Sequence, residues 1–150
     1  MPKVGKNRWE HIFKWHIDET TNRPSGFHLE RSYPGKILPE LVLVADEFGV
    51  YAGYYEQGNW CKFSTFFPKN WTRIQVKEKL IEVFKNPTIK ESNAIIGVTS
   101  EGIKIKIVFG KETTSGTTYI KTAFPLYKGE SDVMKFIKIL GQNKISFKKR

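Results

Sequence analysis

The first pattern along the chain is helical. Four side chains, three of them apolar, recur at intervals of three and four residues, which places them on one face of a helix. They are Trp9, Ile12, Phe13 and His16. The pattern predicts an amphipathic helix over residues 7–17, with His16 on its apolar face and His11 on the opposite side.

Sequence signals predict both the start and the end of a second helix. Thr72 and Gln75 have the spacing of a capping box, in which each side chain binds a backbone N–H group of the other residue. An apolar stripe follows, formed by Val76, Leu80, Val83 and Phe84. Asn86 and Pro87 predict the end of this helix, because proline cannot continue the hydrogen-bond ladder.

Alternating apolar and polar residues predict strands in much of the remaining chain. The predicted strands cover residues 26–31, 41–45, 50–57, 94–99, 103–109 and 117–124. A hairpin loop is expected at 46–49, and a last helix over 131–141 precedes a basic tail at 144–150. This order predicts one α+β domain over residues 1–150, with an N-terminal helix and a central helix packed on antiparallel β-sheets.

The charge of the chain points to a class of partner. The 150 residues include 25 Lys and Arg against 15 Asp and Glu, a formal net charge of +10. Residues 76–150 carry +8 of this charge and residues 1–75 carry +2. A basic surplus concentrated in one half favours nucleic acid or an acidic binding protein. The 39% hydrophobic content supports a buried core and excludes a disordered tail.

Several other kinds of site are disfavoured. The single Cys61 cannot form an internal disulfide, and His11 and His16 are five residues apart, which does not align two ligands on a helix. The sequence therefore predicts no metal site and no cofactor. No apolar run reaches the roughly 18 residues of a membrane span, and the polar N-terminus lacks a signal-peptide pattern. These features favour a cytosolic protein, or a piece of a larger protein that carries its own transport signal.

The three histidines, His11, His16 and His28, are the candidates for proton transfer. Two histidines facing one phosphodiester suffice to cleave RNA, since one takes the 2′-hydroxyl proton and the other protonates the departing 5′-oxygen, with pH limbs at about 5–8. His28 alternates with Phe27 and Leu29, so it is expected to point away from the face that they bury. The alternative is a core His16 with His11 and His28 on the surface, and periodicity leaves both interpretations open.

Residues 66–72 (Phe-Phe-Pro-Lys-Asn-Trp-Thr) join an aromatic run and a basic residue to the start of the central helix. A helix N-terminus binds phosphate through free N–H groups, and Trp71 could stack on a base. Alternatively, Trp71 anchors the helix as part of a hydrophobic staple. The two interpretations are compatible.

Four segments in a consistent order resemble EndoU-type endoribonucleases. Residues 10–14 (Glu-His-Ile-Phe-Lys) and 25–28 (Ser-Gly-Phe-His) are similar to the family's two-histidine signature. Residues 67–72 resemble the Phe-Pro-Lys-Ser-Trp-Ser stretch of its bacterial branch, and residues 102–107 and 121–125 resemble its two closing strands. The resemblance spans residues 9–126, with 36–60 as an insertion. The family includes a coronavirus uridylate-specific endoribonuclease and C-terminal toxin domains of bacterial contact-dependent and other polymorphic toxins.

The resemblance implies an α+β fold with two packed sheets and a metal-free cleavage of RNA 3′ of a uridylate. The family's paired histidines correspond to His11 and His28, which leaves His16 structural. Lys69 and Thr122 become the candidates for further catalytic groups. The substrate contacts are expected from Trp71, Thr72, Phe124, Lys104 and Lys106. Phe124 stands where the family usually has Tyr, so it keeps the stacking ring and lacks the hydroxyl.

The resemblance also implies a biological setting. The domain would be delivered as part of a larger toxin and act on RNA, such as a tRNA anticodon loop, in the cytoplasm of a target cell. A cognate immunity protein would be acidic, to complement the charge of +10. Two other function classes stay open: a non-catalytic RNA-binding module that uses the same lysines and aromatic residues, and a metal-dependent DNase.

Overall fold

The computed structural model describes residues 8–13, 15–17, 24–32, 37–57 and 60–127. Two α-helices, nine strands and one 3-10 turn lie within these ranges. Their bounds are α1 (Arg8–Phe13), β1 (Trp15–Ile17), β2 (Pro24–Gly26), the 3-10 turn (Glu30–Ser32), β3 (Ile37–Leu43), β4 (Tyr51–Gln57), β5 (Trp60–Phe66), α2 (Arg73–Lys85), β6 (Pro87–Lys90), β7 (Ala94–Val98), β8 (Lys104–Lys111) and β9 (Thr118–Pro125).

All strand pairs in the described residues are antiparallel, and they form three sheets. β1 pairs with β2, a second sheet has the order β3-β4-β5, and a third has the order β6-β7-β8-β9. Every neighbouring pair is also consecutive in the sequence, so each sheet is a hairpin or a meander. The α+β class and the packing of both helices on antiparallel sheets are confirmed.

The central helix α2 forms as its sequence predicts. The Thr72 hydroxyl accepts the Gln75 backbone N–H at 3.2 Å, and the Gln75 side chain accepts the Thr72 N–H at 2.8 Å, so both halves of the capping box are present. α2 packs on β7 and β8. A Cβ at Gly97 would lie 2.8 Å from Val83 Cγ1, so glycine at this position permits the close approach of helix and sheet.

Among the clusters that the described residues form, the two largest apolar ones frame the fold. The larger one lies between the helices and the four-stranded sheet, and includes Ile12, Leu29, Phe67, Trp71, Val76, Leu80, Val83, Ile105, Ile107 and Ile120. The smaller one lies on the three-stranded sheet, and contains Phe27, Tyr51, Tyr55 and Phe66. Leu29 and Phe27 are therefore buried in different clusters, and His28 between them lies where the two clusters meet.

The N-terminal prediction was wrong in its second half. The predicted helix over 7–17 ends at Phe13, and Trp15–Ile17 forms a strand against Pro24–Gly26. The predicted strand over 26–31 was also wrong, because β2 ends at Gly26 and a 3-10 turn occupies Glu30–Ser32. In both places the tertiary pairing overrides a short local pattern.

Other elements agree with the sequence or were missed by it. The hairpin loop predicted at 46–49 is confirmed, and the strands predicted over 50–57, 94–99, 103–109 and 117–124 agree within two residues with β4, β7, β8 and β9. The strand predicted over 41–45 starts earlier, because β3 begins at Ile37. The strands β5 and β6 were not predicted. No helix among the described residues has the length and apolar content needed to span a membrane.

Three sequence-based expectations have no structural outcome. The predicted helix 131–141, the basic tail 144–150 and the side chain of His16 lie outside the described residues. The single-domain boundaries and the interpretation of 36–60 as an insertion stay predictions. Within that stretch, residues 37–57 form the first hairpin of the three-stranded sheet.

Candidate active site

Backbone hydrogen bonds bring the two segments of the histidine signature together. The Phe27 N–H donates to the His11 carbonyl at 2.9 Å, and the His28 N–H donates to the Ile12 carbonyl at 2.7 Å. These two N–H groups satisfy carbonyls in the last turn of α1, which a helix end otherwise leaves without donors. These bonds place His11 and His28 side by side.

The turn before His28 needs an unusual backbone. Gly26 has φ +89° and Phe27 has φ +69°, a left-handed conformation that favours glycine. A Cβ at Gly26 would lie 2.0 Å from the His11 carbonyl oxygen, so only glycine allows this approach. The glycine before Phe27 is thus required for the histidine pair to form.

The two imidazoles form a buried pair. Their ring centroids are 6.4 Å apart and their planes are tilted by 59°. His11 is 6% exposed and His28 is 8% exposed. The alternative in which both are surface residues is therefore wrong.

The three-stranded sheet fixes the orientation of the His28 ring. His28 Nδ1 lies 2.8 Å from the Thr65 carbonyl and 3.0 Å from Ser64 Oγ, and the Phe67 N–H donates to the His28 carbonyl at 2.8 Å. The Ser64 hydroxyl donates to the Phe27 carbonyl at 2.7 Å, so its oxygen can accept from Nδ1–H. A carbonyl and a hydroxyl acceptor both select the tautomer with a proton on Nδ1. Nε2 then carries the lone pair.

The environment keeps His28 neutral. Burial lowers its pKa from 6.5 to about 4, because the charged ring loses contact with water. The hydrogen bond to the Thr65 carbonyl raises the pKa, and the positive charge of Lys62 on β5 lowers it. At neutral pH the ring is therefore a proton acceptor, and its pH limb is expected below the range of 5–8 predicted for ordinary histidines.

Phe124 on β9 contacts His28. Its ring centroid is 5.5 Å from that of His28. Thr122 is two residues away on the same strand, so its side chain lies on the same face of the sheet. Thr122 Oγ1 is buried and has no hydrogen-bond partner among the described residues. An unpaired buried hydroxyl of this kind suits a ligand group that completes its hydrogen bond.

The lysines of β8 extend the same face. Lys106 pairs with Phe124 across the strands and makes a 3.2 Å ion pair with Glu91. Lys104 is exposed two residues earlier on that strand. The structure therefore places Lys106 directly opposite Phe124, where a carboxylate engages it, and Lys104 two residues further along the same strand.

Of the three candidate site residues before α2, Lys69 and Thr72 are exposed and Trp71 is buried. Lys69 is exposed and its Nζ lies 5.4 Å from the centroid of the Tyr51 ring, and the Tyr51 hydroxyl donates to Glu30 at 2.5 Å. Among the described residues, the ring that the Lys69 ammonium contacts is therefore that of Tyr51, and not that of either histidine. Thr72 is exposed, and its hydroxyl caps α2. Trp71 is 8% exposed and stacks on Phe67 with centroids 5.7 Å apart, which is the position of a helix anchor.

Sequence reasoning missed the residues that support His28. Ser64, Thr65 and Lys62 all lie on β5, a strand that the sequence pattern did not predict. Ser64 is buried and touches the ring, yet a lone serine in a strand carries no recognisable signal. The alternation of Lys62 and Ser64 with Cys61 and Phe63 was the one available hint.

The arrangement can transfer protons at a bound ester. A neutral His28 and the adjacent His11 are close enough to serve two oxygens of one phosphodiester. Among the described residues, no group of three or more His, Cys, Asp and Glu side chains is placed to bind a metal ion.

Comparison with known proteins identifies the family. The chain matches the bacterial EndoU nuclease family over residues 5–127. A protein from Bacillus cereus named Toxin is 30% identical over 130 residues, a region that covers 82% of this chain and 23% of the relative. The chain thus spans about a quarter of that relative's length. No solved structure matches the chain. Because the match to the family covers most of its residues, the chain belongs to the bacterial EndoU nucleases.

Proposed function

We propose that the protein is an endoribonuclease that cuts RNA on the 3′ side of a uridylate. The products are a 2′,3′-cyclic phosphate and a 5′-hydroxyl. The observation that carries the proposal is the buried pair of imidazoles, His11 and His28, with centroids 6.4 Å apart. Membership of a nuclease family gives the reaction class, and the histidine pair supplies groups for it.

His28 is the general base in this mechanism. Its neutral ring accepts the proton of the ribose 2′-hydroxyl at Nε2, and the 2′-oxygen attacks the adjacent phosphorus. The phosphorus–oxygen bond to the 5′-oxygen breaks, and protonated His11 donates a proton to that leaving group. The nucleophile belongs to the substrate, so the reaction needs no metal-bound water.

Other residues take supporting roles. Lys69 is the candidate cation for the charge that develops on the phosphate, since catalysis gains most from groups aimed at such charge. The hydroxyl of Thr122 is buried without a partner among the described residues, and the ring of Phe124 contacts His28. Both are our candidates for substrate contacts. Thr72 contributes a hydroxyl at the start of α2, while Lys104 and Lys106 bind phosphates. The absence of a phenol at Phe124 predicts a weaker preference for uridine.

The proposed biological role is that of a delivered toxin. The Bacillus cereus relative is named Toxin, and it is several times longer than the matched region. A nuclease domain of this kind acts in the cytoplasm of a target cell, on exposed RNA bases such as those of a tRNA anticodon loop. The net charge of +10 favours an acidic immunity protein that covers the site.

Incubation with tRNA and with duplex DNA in EDTA tests the reaction. We expect RNA to be cut to a cyclic phosphate and DNA to stay intact, because DNA lacks the 2′-hydroxyl. A substrate with one 2′-deoxyuridine at the cut site should also resist. Binding without cleavage would instead indicate a non-catalytic RNA-binding module, and activity that requires added Mg²⁺ would indicate a metal-dependent nuclease.

Alanine variants test the assignment of the histidines. His11→Ala and His28→Ala should each reduce cleavage by about 10²–10⁴-fold, since each removes one proton transfer. Circular dichroism should show a folded chain in both variants. Cleavage at the normal rate by folded His11→Ala would contradict the proposed pair.

A further inference from the structure

A cleft whose lining includes neither His11 nor His28 opens on the protein. Its volume is about 500 Å³. It lies between the hairpin turn at 46–50, which joins β3 to β4, and the neighbouring ends of β8 and β9. Its walls include Phe48, Gly102, Lys104, Leu126 and Tyr127. We name it the hairpin cleft.

The strand ladder connects the hairpin cleft to the histidines. The Leu126 N–H donates to the Lys104 carbonyl at 2.8 Å, so the pairing of β8 with β9 continues past Pro125. Lys106 pairs with Phe124, which places Lys104 opposite Leu126 on the same face. Phe124 in turn contacts His28. Two residues of a strand rise about 7 Å, so the cleft begins about 7 Å beyond Phe124 along the sheet.

The walls of the hairpin cleft are held in place before any ligand arrives. Gly102 has φ +99°, and a Cβ there would lie 2.6 Å from Phe48 Cε1, so glycine provides a flat seat for the Phe48 ring. The Tyr127 hydroxyl donates to the Val44 carbonyl at 2.7 Å. Asp46 accepts the N–H groups of Phe48 and Val50 at 2.9 and 3.1 Å, which fixes the turn. Rings fixed in this way lose little freedom when they bind a flat ligand.

The chemistry of the cleft distinguishes its interior from its rim. Phe48 and Tyr127 offer half-buried aromatic surface, and aromatic side chains bind nucleic-acid bases by stacking. The Asp46 carboxylate in the wall repels a phosphate group from the interior. The exposed ammonium of Lys104 attracts a phosphate to the rim. A base inside with its phosphate at Lys104 satisfies both conditions.

We propose that the hairpin cleft binds the base of the nucleotide next to the scissile uridylate, by stacking on Phe48. This inference rests on the proposed endoribonuclease function and extends it from the cleaved bond to a neighbouring nucleotide. The substrate is then a single-stranded segment of at least three nucleotides, because a paired base cannot enter the cleft.

The test compares oligonucleotides of different length. A dinucleotide supplies only the scissile bond, and trinucleotides extended on the 5′ or the 3′ side add one flanking base. We expect one extension to raise kcat/KM by about tenfold, within the range of about 1–3 kcal/mol for one stacked base. Phe48→Leu should remove this advantage and leave dinucleotide cleavage unchanged. Phe84→Leu, a matched change of a half-buried phenylalanine on α2, should keep it.

An abasic trinucleotide gives a measurement that needs no protein variant. Removing the flanking base should cost the wild-type enzyme the same tenfold, and Phe48→Leu should then cost nothing more. An advantage that survives in folded Phe48→Leu, or in the abasic substrate, overturns the proposal. Weaker binding of a protein partner by Phe48→Leu, with the length advantage intact, would assign the cleft to that partner. Failure to cleave any of the RNAs would refute the endoribonuclease function itself.

Discussion

Acidification should destabilise the protein through His28. The folded state holds the pKa of His28 near 4, while the unfolded chain has the ordinary value of 6.5. The unfolded state therefore binds the proton more readily, so stability is present above pH 6.5 and is lost as the pH falls towards 4. The complete loss is roughly 3 kcal/mol, of which about 2 kcal/mol occurs between pH 7 and pH 5.

Urea unfolding at pH 7, 6 and 5 measures this loss. The His28→Asn variant is the control, because its amide can keep a hydrogen bond to the Thr65 carbonyl and does not titrate. We expect the free energy of unfolding of the wild type to fall about 2 kcal/mol more than that of the variant over this range. Nuclear magnetic resonance of the imidazole gives the pKa directly. Equal pH dependence in both proteins, or a His28 that titrates near 6.5, would refute the reasoning.

Three further predictions address individual side chains. Lys62→Ala should raise the pKa of His28, because it removes a positive charge, and should move the acidic limb of kcat/KM to higher pH; Lys90→Ala, remote and exposed, should leave that limb unchanged. Lys69→Ala should lower kcat more than RNA affinity, and equal losses of rate and affinity would make Lys69 a binding residue only. Lys104→Ala should instead weaken RNA binding and reduce its salt dependence. Trp71→Ala should reduce the free energy of unfolding by about 3–5 kcal/mol in thermal or urea unfolding, because Trp71 lies in the core; a loss of RNA binding without a loss of stability would contradict that placement.

Local signals in the sequence were sufficient to predict the elements in the central part of the fold. The start of α2 depends on Thr72 and Gln75, which are three residues apart, and its end on Pro87, so no distant contact is needed. The first four residues of the strand Lys104–Lys111 alternate lysine with isoleucine, and both isoleucines are buried as that pattern predicts. Such elements are predictable because propensity, capping and burial favour the same structure.

The N-terminal region and the site depend on contacts that a local pattern does not contain. Residues 14–17 continue a helical spacing in the sequence, yet Trp15–Ile17 forms a strand that pairs with Pro24–Gly26. The positive φ of Phe27 cannot be read from its side chain, and it redirects the backbone towards α1. His11 and His28 could be nominated from the sequence, but their meeting depends on backbone hydrogen bonds to His11 and Ile12. The orientation and tautomer of the His28 ring depend on β5, which lies nearly forty residues further along the chain.

The hydrogen bonds that hold the two histidines differ in sequence separation, and this difference has a consequence for the order of folding. The bond between the Phe27 N–H and the His11 carbonyl closes a loop of only sixteen residues, whereas the contacts of His28 with Ser64 and Thr65 close loops of 36 and 37 residues. Short loops close sooner than long ones and at a smaller entropic cost. During refolding the two histidines should therefore approach each other before β5 docks and sets the ring orientation. Cleavage activity should return with the three-stranded sheet, later than the first compact N-terminal structure.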